Sequence, residues 1–229
     1  MENFNFTITL SDGQRKTIDL KTEGLKKHFS EWQNYTGAIL EQFNTRDYYQ
    51  NFLEEDDKVI LDLGANIGLF AIHALPWAER IVCVEPTPSH FELLEQLTSE
   101  FDTIERVQYA VSPIDAPVIF YTENSNSTMN SLIPRSGEQL VVEGLTLESL
   151  AKKCNLDRID FIKMDIEGSE YIVLNESTVD YILKNVPKIL IEFHSNFDEV
   201  IPKYKGIFEA HGYTVNHFHW DSIMCIKKK

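Results

Sequence analysis

Residues 59–74 read V-I-L-D-L-G-A-N-I-G-L-F-A-I-H-A, from Val59 to Ala74, and this stretch decides the fold. Val59, Ile60, Leu61 and Leu63 form the short apolar run of a strand buried on both faces. Gly64-Ala65-Asn66-Ile67-Gly68 turns the chain, and Leu69 to Ala74 continue with apolar residues and good helix formers. Strand, glycine turn and helix make the first half of a nucleotide-type α/β unit. The glycines predict backbone N–H groups brought close to a ligand at a helix N-terminus.

The spacing G-x-x-x-G is not the dinucleotide fingerprint G-x-G-x-x-G. Asp62, two residues before the first glycine, would repel a pyrophosphate but attract an ammonium or a sulfonium. S-adenosylmethionine carries both cations and no phosphate. The other reading is a tight βα turn in which Asp62 bonds only backbone N–H groups.

The strand Arg80–Val84 follows and ends in Glu85-Pro86, about 20 residues past the turn, where this architecture places an acid on ribose hydroxyls. A surface acid before a proline is the alternative, and distance and strand end favour the ribose role. A helix is expected over Phe91–Leu97, capped by Ser89 or a neighbour. Arg106–Val111 reads as a third strand whose end, Ala110-Val111-Ser112, lies where an adenine ring would sit. Val118–Tyr121 is a short strand, Thr122–Gly137 a long polar loop of the kind that often carries function, and Thr146 a cap for a short helix. Ile159–Met164 is a fourth parallel strand, followed at once by Asp165-Ile166-Glu167-Gly168-Ser169-Glu170, three carboxylates within six residues. Lys188–His194 is a fifth, with Glu192 and His194 projecting to one side. A helix over Ile201–Ala210 and strands over Tyr213–His217 and Ser222–Ile226 close the chain. Ahead of all this, Phe4–Leu10 and Lys16–Leu20 flank an Asp-Gly turn and predict a hairpin. Leu25–Phe52 predicts one or two amphipathic helices, whose aromatic cluster Tyr48-Tyr49-Gln50-Asn51-Phe52 reads as packing or as a cover for the cofactor.

The expected architecture is α/β: a doubly wound, mostly parallel sheet with an antiparallel C-terminal edge. Residues 1–55 are a hairpin and helical appendage to the main unit, 56–229. The net charge of −15 over 229 residues speaks against nucleic acid, which needs clustered Lys and Arg. Cys83, Cys154 and Cys225 are few and scattered, as in a cytoplasmic protein with reduced thiols. No apolar run reaches the roughly 18 residues of a membrane span, and the start does not read as a signal peptide.

With these segments in hand, V-I-L-D-L-G-A-N-I-G, V-E-P, T-L-E-S-L, D-F-I-K-M-D-I-E-G-S-E and L-I-E-F-H resemble the FkbM-like, S-adenosylmethionine-dependent methyltransferases of the Rossmann-like class I fold, over about residues 57–195. The resemblance implies methyl transfer to a hydroxyl of a small molecule or sugar. It implies that Asp62, Gly64, Ala65, Asn66 and Gly68 line the methionine part of the cofactor, with Asp165 beside them. Glu85 and Pro86 would serve the ribose, and Ala110 and Val111 the adenine. Asp165, Glu167, Glu192 and His194 would face the acceptor, with His194 or Asp165 as general base and Glu192 orienting the imidazole. A competing arrangement holds a divalent metal on Asp165, Glu192 and His194, as catechol O-methyltransferase-like enzymes do at the same strand ends. The residue types here depart from that pattern, and a metal-free site is the favoured reading. The rivals are a non-catalytic cofactor-binding scaffold and an NAD-linked oxidoreductase, the latter lacking its fingerprint here.

Overall fold

The computed structural model describes residues 52–122, 130–134, 137–217 and 221–228, with the backbone of two strands before them. Those two, β1 (Asn5–Thr9) and β2 (Arg15–Asp19), pair antiparallel as the expected hairpin. The helices and aromatic cluster expected over Leu25–Phe52 lie outside the described residues, except for Phe52, which is buried.

Among the described residues the main sheet has seven strands. β3 (Val59–Leu63) lies in its interior between β4 (Arg80–Val84) and β9 (Phe161–Met164), with parallel pairing on both sides. β5 (Ile104–Val107) adds to β4, and β10 (Lys188–Glu192) adds to β9, again in parallel. β12 (Ser222–Lys227) inserts antiparallel beside β10, and β11 (Tyr213–His217) closes that edge. The resulting order is β11-β12-β10-β9-β3-β4-β5.

The period-2 alternation of the strands divides the core into two layers. Leu61, Leu63, Val82, Val84, Ile162, Met164, Ile189 and Ile191 face one layer. Ile60, Ile81, Cys83, Phe161 and Leu190 face the other. The first layer is covered by α3 (Leu147–Lys153), α5 (Glu176–Asn185) and α6 (Phe197–Ala210). The second is covered by α1 (Leu69–Ala74) and α2 (Pro88–Thr98). A one-turn helix, α4 (Glu170–Val173), follows β9 directly. Thr146 caps α3 as expected, its hydroxyl accepting from the Ser149 N–H at 3.2 Å. Thr87, rather than Ser89, occupies the cap position of α2, and its side chain makes no cap bond.

One expected element divides. The strand read over Arg106–Val111 ends in the main sheet at Val107. Its last two residues become β6 (Ala110–Val111) in a separate three-stranded sheet with β8 (Gln139–Leu145) and β7 (Ala116–Tyr121). Apolar continuity marks both pieces as extended and says nothing of the change of partner. β8 was not expected as a strand. Its burial alternates exposed and intermediate from Gln139 to Glu143, because one face of this small sheet is left to solvent.

Candidate active site

The carboxyl ends of β3, β4, β6 and β9 surround a cleft that opens to solvent, the usual ligand position in an open α/β sheet. Gly64, Asn66, Glu85, Pro86, Ala110, Val111, Asp165 and Glu167 stand on its wall, joined by Tyr109, Phe120 and Leu132 on the apolar side. Asp62, Ala65, Gly68, Glu192 and His194 are not on that wall.

The glycine turn is built for close packing, not for presenting free donors. A Cβ on Gly64 would fall 1.8 Å from the Asp165 carbonyl oxygen, and its φ is +78°. A Cβ on Gly68, at φ +90°, would meet Leu94 Cδ1 of α2 at 2.5 Å. The N–H groups of Gly64 and Ala65 both donate to the Val84 carbonyl at 3.0 Å. That of Asn66 donates to Glu85 Oε2 at 2.9 Å, that of Ile67 to Asn66 Oδ1 at 2.8 Å, and that of Gly68 to the Ala65 carbonyl at 2.8 Å. The expected ligand-facing N–H groups are therefore spent inside the fold. A turn with its donors spent cannot cradle a phosphate.

Asp62 stands behind the wall rather than on it. It is fully buried, and its oxygens accept no hydrogen bond from the described residues. Its charge is met by Lys163, its register partner on β9, whose Nζ lies 3.5 Å away. Burial pushes the Asp62 carboxyl up to about 6, with Lys163 pulling against it. Lys163 also lies 3.2 Å from Asp165 Oδ2 and 3.3 Å from the Gly64 carbonyl. In the sequence Lys163 is a lone lysine in an apolar strand with no visible partner; only the register of β3 on β9 supplies one.

Glu85 is buried on the cleft wall. Its two oxygens accept from the Asn66 N–H and from the Thr87 N–H, each at 2.9 Å, and Oε1 lies 3.7 Å from His90 Nδ1. Burial opposes its charge, but His90 and Thr87 outweigh that and hold the carboxyl below its usual range. Across the cleft, Asn130 Nδ2 donates to Thr87 Oγ1 at 3.2 Å. Ser131 and Ser169 join hydroxyls at 3.1 Å, and the Leu132 N–H donates to Ser169 Oγ at 2.9 Å. These bonds tie the polar segment 130–132 to the ends of both β4 and β9.

Beyond β9 the chain turns sharply, with Glu167 at φ +55° and Gly168 at +95°. The turn lifts Glu167 beside Asp165 and against His194, which follows β10. His194 Nε2 is 3.4 Å from Glu167 Oε2, 3.5 Å from Asp165 Oδ1 and 3.9 Å from Glu192 Oε1. Its Nδ1 faces Glu170 Oε1 at 3.2 Å. The expected four residues are thus gathered in one cluster, but the carboxylate on Nδ1 belongs to Glu170, and Glu192 approaches the opposite nitrogen. Burial and Asp165 push Glu167 up to about 8; Asp165 and burial do the same to Glu192. Burial works against the imidazolium, yet Glu170, Glu167 and Asp165 prevail and lift His194 to about 10. One ligand atom each from Asp165, Glu167 and His194 lies within 4.8 Å of the others, a spacing that fits a shared cation.

The sequence model of the methyltransferase FkbM domain matches residues 62–224. The chain belongs to this family. Among solved structures it is similar to a methyltransferase FkbM from Methylobacillus flagellatus KT, at 18% identity and a TM-score of 0.53, covering 79% of this chain and 46% of that one. It thus spans less than half the length of that FkbM protein. It is also similar to an rRNA methylase from Streptococcus thermophilus, at 11% identity and a TM-score of 0.50, covering 81% of this chain and 95% of that one. At these identities the likeness is one of fold, the Rossmann-like class I methyltransferase fold. No curated protein matches the chain. The FkbM-domain match runs from Asp62 to Met224, so the cleft and the His194 cluster fall inside it. No helix among the described residues is long and apolar enough to cross a membrane.

Proposed function

We propose that this chain transfers a methyl group from S-adenosylmethionine to a hydroxyl of a small molecule or sugar. The observation that carries the reading is the placement of Glu85 and the Asp165–Glu167 pair in one cleft, on either side of a turn whose backbone N–H groups are bonded within the fold. Glu85 retains lone pairs toward the cleft for ribose hydroxyls after accepting its two backbone bonds. Ala110, Val111, Phe120 and Leu132 offer an apolar slot for a flat base. The Asp165 carboxylate supplies the negative potential that favours a sulfonium over a phosphate.

The cofactor, when bound, supplies a methyl group already activated by the positive sulfur. The protein's tasks are alignment and removal of the hydroxyl proton. His194, lifted to about 10, holds its own proton near neutrality, so of the two expected bases Asp165 remains, with the imidazolium 3.5 Å away to steady the cluster's charge. The same geometry fits a divalent ion on Asp165, Glu167 and His194, which would lower the hydroxyl's pKa. EDTA separates the two versions: full activity after chelation removes the metal, and loss restored by Mg²⁺ or Mn²⁺ establishes it. The acidic cleft wall and the net charge of −15 favour an uncharged acceptor over a phosphate-bearing one.

The deciding experiment is calorimetric titration with S-adenosylhomocysteine, with NAD as control, on wild type and Glu85→Ala. Micromolar binding of the homocysteine, weakened at least tenfold in the variant, supports the reading. Tighter binding of NAD, or no binding of either, overturns it.

A further inference from the structure

Glu170 is the one acid of the D-I-E-G-S-E segment that the cleft does not expose, and it is fully buried at the start of α4. Its Oε1 accepts from the Ile166 N–H at 2.9 Å and faces His194 Nδ1 at 3.2 Å. Its Oε2 has no hydrogen-bond partner among the described residues. A buried carboxylate left with one empty oxygen is costly unless a cationic or donating partner meets the other. The imidazole is that partner, and the contact fixes the ring from behind. With Nδ1 turned to Glu170, Nε2 has only one direction left, toward Asp165 Oδ1 and Glu167 Oε2. Such carboxylate–histidine pairs set which nitrogen faces a site.

We propose that Glu170 is the positioning residue for His194: it accepts the Nδ1–H and so presents Nε2 to the Asp165–Glu167 pair. Glu192, 3.9 Å from Nε2, does not hold the ring. The hydrogen-bond geometry stands by itself, and its use in methyl transfer rests on the function proposed above. A purely structural Glu170 would serve only to bond the Ile166 N–H, and Glu170→Gln retains an oxygen for that bond. Both contacts fall on Oε1, so the amide keeps an oxygen for each but is a weaker acceptor for Nδ1–H than the carboxylate, and the substitution weakens that bond selectively.

The test is proton and nitrogen NMR of the histidine-labelled full chain without ligand, with His194 assigned by the signals lost in His194→Asn. In wild type, an exchange-protected, downfield Nδ1–H signal is expected, with cross-relaxation to the side-chain protons of Glu170. It persists in Glu192→Gln and is lost or moved far upfield in Glu170→Gln. A signal left unshifted in Glu170→Gln, loss in Glu192→Gln, or cross-relaxation to Glu192 overturns the assignment. Should Glu170→Gln fail to fold, the wild-type cross-relaxation decides alone. Binding of S-adenosylhomocysteine is read separately, so failure of the methyltransferase reading leaves this result standing, and the reverse also holds.

Discussion

Gly64 shows what a single residue does for this site. Its left-handed backbone lets the β3 turn lie directly on the Asp165 carbonyl, closing the floor of the cleft. Gly64→Ala adds a methyl group 1.8 Å from backbone that cannot swing away, on top of roughly 1–2 kcal/mol for the left-handed conformation. We expect a fall in melting temperature on the order of 10 °C or failure to fold; a variant that melts with wild type would refute this packing. His73, on α1, makes a pH prediction. Burial lowers its pKa from 6.5 to about 4, so the folded chain keeps the ring neutral where the unfolded chain takes up a proton. Its contribution is therefore full above pH 6.5 and is lost as pH falls toward 4. His73→Phe should flatten that part of the melting-temperature profile, taken as the difference from wild type. A difference independent of pH between 6.5 and 4 would show that His73 is solvated in solution.

At the scale of elements, capping and strand partners matter most. The Asn175 side chain accepts from the Thr178 N–H at 3.0 Å and starts α5. Asn175→Ala removes that acceptor and should cost about 1 kcal/mol, a shift of roughly 2–4 °C in a thermal melt; an unchanged melt would place the start of α5 elsewhere. Most strands and helices were legible, because the buried strands are short apolar runs and the turns carry Gly, Asp and Asn. What was not legible was pairing. Only two residues separate Val107 from Ala110, yet the two enter different sheets. β8 stayed hidden because its apolar run is only Leu140-Val141-Val142, flanked by Gln139 and Glu143 on a half-exposed sheet. The one-turn α4 was equally unmarked, although it carries Glu170.

At the scale of the molecule, residues far apart in sequence are joined by charges the core would otherwise reject. Lys188 Nζ, on buried β10, meets Asp57 Oδ2 at 2.8 Å and Glu54 Oε2 at 3.3 Å, tying the entry to β3 across the sheet. Lys188→Met leaves the buried Asp57 without its cation and should cost about 3–5 kcal/mol, with much of that regained in Asp57→Asn/Lys188→Met. Equal melting of wild type and Lys188→Met would show the pair to be dispensable. The amino-acid sequence by itself determined the fold class and the strand ends that form the cleft, because buried strands and turn chemistry are local signals; the grouping of Asp165, Glu167, Glu192 and His194 was expected only through the family resemblance. Tertiary structure decided that the donors of the glycine turn face inward, that Asp62 answers to Lys163, and that Glu170 rather than Glu192 meets Nδ1 of His194. Those choices depend on the register of β3 on β9 and on a left-handed turn at Glu167. Distances between strand ends are set by packing, which no single segment of sequence encodes.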